Sequence, residues 1–198
     1  SVNFHPIEWN KIFDPTGEIR QNTIKIVETS TYFFEEFEQQ KSVITVFQDE
    51  LVLGCNSSLI FWKINGEKEL NSYESCQIES IQMITSLLVI NDSNLNSFLA
   101  VASEVYPVIF IFNKDHQNVS RLISHTMGIT SLCSSFFGLF SASFDKTARI
   151  WDLNKDMPLS LFNTKLYEIT AIETVSFCDQ LFLFTGTKNH SVICWSCT

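Results

Sequence analysis

Positive charge is what this chain is short of. Thirteen Lys and Arg stand against 22 Asp and Glu, a net charge of −9, and the basic residues are scattered. A protein that grips a phosphate backbone needs a clustered basic surface, so direct nucleic-acid binding is not expected. Also lacking is any uninterrupted apolar run near the ~18 residues a membrane-spanning helix needs, so no membrane partner is expected. No basic-then-apolar leader opens the chain, and no stretch carries the 3.6-residue periodicity of a long helix. The first residue is Ser1 rather than Met, which reads as a piece of a longer protein.

What is present points to a packed β domain. The 198 residues are 45% hydrophobic and 18% charged, a balance that builds a core rather than a disordered chain. Eighteen Phe favour strands and buried surfaces. The cysteines at 55, 76, 133, 178, 194 and 197 sit mostly in apolar, strand-like runs. They read as reduced, buried thiols of a nuclear or cytoplasmic protein, not as a disulfide framework. The sequons at Asn56, Asn91, Asn118 and Asn189 fall in turn-like Asn/Ser stretches and read as chance matches.

The most informative stretch is "SHTMGITSLCSSFFGLFSASFDKTARIWDL", from Ser124 to Leu153. Strand-forming runs at 128–134, 139–143, 147–153 and 159–162 alternate with turns at 136–138 and at Asp145-Lys146, the pattern of an antiparallel meander. The layout recurs downstream, at 169–175, 181–187 and 191–195, and upstream in "SVITVFQDELVLGCNSSLIFWKI", with a third strand at 59–64. A degenerate copy, "SFLAVASEVYPVIFIFN", lies between, and a partial one covers 22–40. Third-strand markers at Val27, Trp62, Phe112, Trp151 and Trp195 recur at steps of about forty residues, the period of a four-stranded propeller blade. The longest step, from Trp62 to Phe112, is assigned to an Asn/Ser-rich loop at 90–97.

These residues resemble the WD-repeat family of β-propellers, over about 22–197. The likeness is strongest around Ser124-His125, Asp145 and Trp151-Asp152, with Ser124 where the family usually has Gly. It implies an all-β WD-repeat β-propeller with antiparallel four-stranded blades: a lead-in at 1–21, a partial blade at 22–40, then blades at 41–75, 76–123, 124–163 and 164–198. Four blades and part of a fifth imply a segment of a larger or partner-closed ring. The resemblance also implies a structural hydrogen-bond network of His125, Ser141 or Ser143, Asp145 and Trp151, because a buried indole N–H needs an acceptor and a hydroxyl–imidazole–carboxylate chain satisfies it.

Other chemistries fit less well. A Ser–His–Asp hydrolase would want a Gly-x-Ser-x-Gly elbow and strand–helix alternation, and neither is present. Cys194-x-x-Cys197 lacks a second ligand pair for zinc and lies along a strand, where thiols three apart face opposite ways. The run Glu35-Glu36-Phe37-Glu38 reads as a solvated edge, and His5, His116 and His190 look isolated. No catalytic residue, metal or cofactor is expected. The aromatic turn Phe136-Phe137-Gly138 replaces the usual polar turn chemistry, making Phe136 and Phe137 a candidate partner surface.

The expected function is a non-catalytic scaffold subunit binding other proteins in a multisubunit complex. A strong blade followed by one opening without a Gly-His pair is similar to nuclear WD-repeat subunits that mature the large ribosomal subunit precursor, implying ribosome biogenesis. A substrate receptor of a ubiquitin ligase, or the propeller part of a larger enzyme, is the alternative.

Overall fold

The computed structural model describes residues 42–63, 73–78, 81–92, 95–177 and 180–197. The chain divides into units Ser1–Glu35 and Glu36–Thr198, and every described residue lies in the second. The lead-in at 1–21, the partial blade at 22–40 with Val27, and the acidic run 35–38 lie outside the described residues.

The described residues form fifteen strands in four antiparallel meanders. The first sheet holds β1 (Ser42–Phe47), β2 (Glu50–Cys55), β3 (Ser58–Lys63) and β4 (Tyr73–Gln77) in that order. The second holds β5 (Ile84–Asn91), β6 (Ser97–Ser103), β7 (Val108–Phe112) and β8 (Asn118–Ile123). The third holds β9 (Ile129–Ser135), β10 (Gly138–Ser143), β11 (Thr147–Asp152) and β12 (Met157–Asn163). The fourth has three strands among the described residues: β13 (Ile169–Phe177), β14 (Gln180–Thr187) and β15 (Val192–Cys197).

The loop expected at 90–97 is shorter than that, because its two ends are strand. Ile90 and Asn91 extend β5, Ser97 begins β6, and they pair as Ile90↔Phe98 and Asn91↔Ser97. Asp92 closes the short turn by accepting from the Asn96 backbone N–H at 2.9 Å. Asp92 and Asn96 hold an Asx-type turn there, so composition marked the turn and set its bounds too wide. The stretch 64–72, which separates β3 from β4, also lengthens the step from Trp62.

Sheets stack face to face, and this explains the burial pattern. In β6, Leu99 and Val101 join a core with first-sheet residues Phe47, Val52 and Leu59. The alternate residues Ala100 and Ala102 join Leu132, Leu139 and Trp151 of the third sheet. In β10, Leu139 faces the second sheet while Phe140 and Ala142 pack with Ile169, Leu181 and Leu183 of the fourth. Middle strands are therefore buried on both faces and read as near-continuous apolar runs. Outer strands such as β12 leave Met157, Leu159 and Leu161 exposed.

A second device ties the sheets together. Each of the last three first strands begins Ile-Thr, at 84–85, 129–130 and 169–170, and the register shifts at the Thr. A bulge re-aims its side chain. Thr85 Oγ1 donates to the Ile129 carbonyl of the next sheet at 2.7 Å. Thr130 Oγ1 repeats this on Ile169 at 2.8 Å. Thr170 Oγ1 instead donates to Gly186 in its own sheet, at 3.3 Å.

Candidate functional site

The polar constellation centres on the third sheet. His125 lies in the segment joining β8 to β9, Ser141 in β10, Asp145 in the β10–β11 turn and Trp151 in β11. Trp151 Nε1–H donates to Ser141 Oγ at 2.8 Å. Ser141 Oγ lies 2.7 Å from His125 Nε2, and His125 Nδ1 lies 2.7 Å from Asp145 Oδ2. One proton arrangement satisfies all four groups: indole to hydroxyl, hydroxyl to Nε2, and Nδ1–H to carboxylate. The imidazole is then neutral. Protonating Nε2 would face Ser141 with two donors and leave its own O–H without its acceptor.

Asp145 anchors more than the imidazole. Its Oδ1 accepts from the Thr147 backbone N–H at 2.9 Å and from Thr147 Oγ1 at 2.5 Å, and its Oδ2 accepts from the Thr126 N–H at 3.1 Å. Burial alone would raise this carboxyl. The bonds from His125, Thr147 and Thr126 outweigh it and hold the group well below the usual carboxylate range. Burial pushes His125 below its ordinary value, against the opposing pull of Asp145. Both shifts keep the relay as neutral imidazole and ionised carboxylate.

Ser143 has a different task. Its hydroxyl lies 3.0 Å from the Met127 carbonyl and 2.9 Å from that of Gly128, and it accepts from the Asp145 N–H at 3.1 Å. It clasps the segment entering β9 and is not part of the relay. Ser124, standing in a usual Gly position, accepts from the Arg149 guanidinium. Asp152 ends β11 and accepts from the Asn154 N–H of the following turn at 3.0 Å. Thr147 was missed in the sequence, although a hydroxyl two residues after a turn Asp is a recognisable capping signal.

The other sheets keep fragments of this arrangement. Strand register aligns Leu183↔Trp195 with Leu139↔Trp151, so Thr185, Thr187 and Asn189 match Ser141, Ser143 and Asp145. Trp195 Nε1–H donates to Thr185 Oγ1 at 3.0 Å; the position matching His125 is Lys165. In the second sheet, Leu99↔Phe112 puts Val101 at the hydroxyl position. Ser103 still clasps, donating to the Gln82 carbonyl at 2.5 Å and accepting from the Val105 N–H at 3.1 Å.

Connectivity from serine to histidine to aspartate is that of a hydrolase, but access is not. Ser141 is 0% exposed and His125 is 4% exposed, and the serine oxygen already accepts an indole N–H. A nucleophile must reach a reacting atom at about 3 Å, and this one is sealed between sheets. Among the described residues, no group of three or more His, Cys, Asp or Glu is placed to hold a metal ion. No described helix is long and apolar enough to cross a membrane.

The remaining candidates divide by exposure and by partners. Phe136 and Phe137 stack on each other, ring centroids 4.1 Å apart, and are 71% and 49% exposed; neither folds into the core. Cys55 and Cys133 are buried thiols, but Cys194 is exposed. Cys178 and the Cys197 side chain lie outside the described residues. His116 is not isolated. Its Nε2 is 2.7 Å from Glu50 and its Nδ1 3.2 Å from Glu74, with the ring stacked on Phe61 at 3.8 Å, so it clamps the β7–β8 turn onto the first sheet.

Antiparallel meanders stacked face to face, with a Trp–Ser–His–Asp relay in one, are the architecture of a β-propeller. The profile described as "WD domain, G-beta repeat" matches residues 116–152. That match runs from the turn before β8 through β11, so the repeat straddles two sheets and ties one blade to the next. A chain from the structure of Chaetomium thermophilum Polycomb Repressive Complex 2 bound to GSK126 superposes with a TM-score of 0.69 at 14% identity. The superposition covers 86% of this chain and 42% of that one, so this chain spans less than half the length of the chain it resembles. No curated protein matches the sequence.

Proposed function

We propose that this chain is a non-catalytic interaction scaffold that works as a subunit of a multiprotein complex. The observation that carries this reading is the sealed relay. The polar residues best suited to chemistry are spent on holding β10, β11 and the β8–β9 connection together. What stays accessible is turns and outer strands on stiff sheets, the features that bind partners rather than transform substrates. The similar Polycomb chain, whose structure is of an assembled complex, supports the same class. Residues 22–198 are taken as blades at 22–40, 41–75, 76–123, 124–163 and 164–198, with 1–21 leading in.

A narrower reading places the protein in the nucleus, in maturation of the large ribosomal subunit. It is supported by the succession of a full relay at 124–163 and a blade at 164–198 whose Trp195–Thr185 pair has no His. Affinity purification of the full-length protein tests both readings. A scaffold returns partners at fixed stoichiometry, and ribosome maturation adds large-subunit precursor particles. Recovery of the protein alone would remove the scaffold reading. Ubiquitin-ligase subunits in place of precursor particles would replace the narrower one.

A further inference from the structure

A cleft of about 270 Å³ opens between the second and third sheets, away from the relay. Its walls include Ile90, Phe98, Ile111 and Leu153, and its charged lining residues are Asp92 and Asp156. Ser120 lines it as well, and the buried Ser120 Oγ has no hydrogen-bond partner. A buried hydroxyl without a partner is costly, so an orphan beside an open cleft marks a place where a ligand group completes the bonding.

We propose that this cleft receives the side chain of an arginine or lysine carried on an extended segment of a partner protein. The argument is one of shape and charge. The volume is below that of ordinary small-molecule pockets and suits one long side chain. Apolar walls match the methylene stem of such a residue, which buries its stem while keeping its charged head among polar groups. The lining carboxylates of Asp92 and Asp156 accept from an ammonium or guanidinium, and the buried Ser120 oxygen is a further acceptor. Asp92 is already oriented by bonds from the Asn96 N–H and Nδ2, both 2.9 Å. A net charge of −9 attracts a basic segment to the protein as a whole.

This site deepens the scaffold reading and rests on it for its biological meaning, but its test does not. Fluorescein-labelled Ac-Gly-Ser-Gly-Xaa-Gly-Ser-Gly peptides with Arg, Lys, Gln or Glu at Xaa are titrated against the full chain by anisotropy. Amide shifts in ¹⁵N spectra then locate the contact at 119–120 and 153–156. Arg and Lys peptides should bind about five- to tenfold tighter than Gln, as expected for charge-assisted bonds. Asp156→Asn should erase that preference without changing the melt, because Asp156 is exposed and its left-handed φ of 53° suits Asn. Val119→Arg, at an exposed lining position, should compete with the incoming cation and act likewise. Equal binding of the Arg and Gln peptides would overturn the proposal. So would a preference that survives both substitutions. Stoichiometric partner capture without any basic preference would remove this site and keep the scaffold. A basic preference in a protein that purifies alone would do the reverse.

Discussion

Ser141→Ala is the sharpest test of the relay. The serine oxygen bridges Trp151 Nε1, at 2.8 Å, and His125 Nε2, at 2.7 Å, and the residue is fully buried. Removing it strands an indole donor and an imidazole acceptor away from water. Each orphan costs about 1–3 kcal/mol, so the variant should lose about 2–6 kcal/mol. Urea denaturation would read this as a lower midpoint at constant slope. Thr185→Val is the internal control: it removes one bond, to a partly buried Trp195, and should cost about 1 kcal/mol. A Trp151→Phe background sharpens the test further. With no indole N–H to strand, Ser141→Ala should cost at least about 1 kcal/mol less there, which a double-mutant cycle measures. The same loss in both backgrounds, or a loss no larger than that of Thr185→Val, would refute the relay as a source of stability.

Acid should act in two stages. Burial lowers His125 from its ordinary 6.5, so the unfolded state takes up a proton first. Its contribution is whole above about pH 6.5 and falls as pH drops below that. Asp145 is held below its ordinary 3.8, so its contribution is present above about pH 4 and is lost beneath it. Melting temperatures from pH 8 to 3 should show both limbs, and His125→Phe should abolish the upper one; a single limb in the parent protein would contradict the assignment. Gly128→Ala should cost more than about 3 kcal/mol or block folding, since the added Cβ would lie 1.5 Å from the Glu104 carbonyl oxygen, far inside any tolerated overpacking; a near-parental melt would mean the sheets can slide apart there. Phe136→Ser and Phe137→Ser should leave the melt within a degree or two, because both rings are exposed, while weakening partner capture; loss of the fold would assign the pair to the core.

How much of this was legible in the sequence varied from one feature to the next. The third sheet was readable because its turns and alternation agree with its tertiary role: the turn at Asp145-Lys146 and the strand Thr147–Asp152 carry strong local signals. The ends of the segment at 90–97 were misread because Asn and Ser favour turns by composition, while Ile90 is 4% exposed and pairs across to Phe98. Burial overrode propensity there. Choosing Ser141 over Ser143 could not be done by spacing. Both face alternate positions of one strand, and only the register that sets Leu139 opposite Trp151 puts Ser141 beneath the indole. The cleft at Ser120 was invisible because its walls come from two sheets. His116 met Glu50 and Glu74 only through folding.

The contrast between relay and bulge shows what holds these sheets. The full relay occurs in one described sheet, yet Ile-Thr bulges open three first strands, and Thr85 and Thr130 each reach the carbonyl of the following sheet. A buried polar chain is sensitive to any lost member, since each loss strands its neighbour. The bulge contact asks only for a hydroxyl and a backbone carbonyl, so it persists while sequence around it changes. Sheet stacking therefore does not depend on the relay. The second sheet shows this directly: Val101 and Phe112 replace the hydroxyl and the indole, and both are buried against the first sheet. A blade can thus trade its polar chain for apolar packing and keep its place. The chemistry of the outer turns is then separate from the packing of the fold, which is why an aromatic pair at 136–137 or the acidic cleft residues Asp92 and Asp156 can stand there without cost to the stacked core.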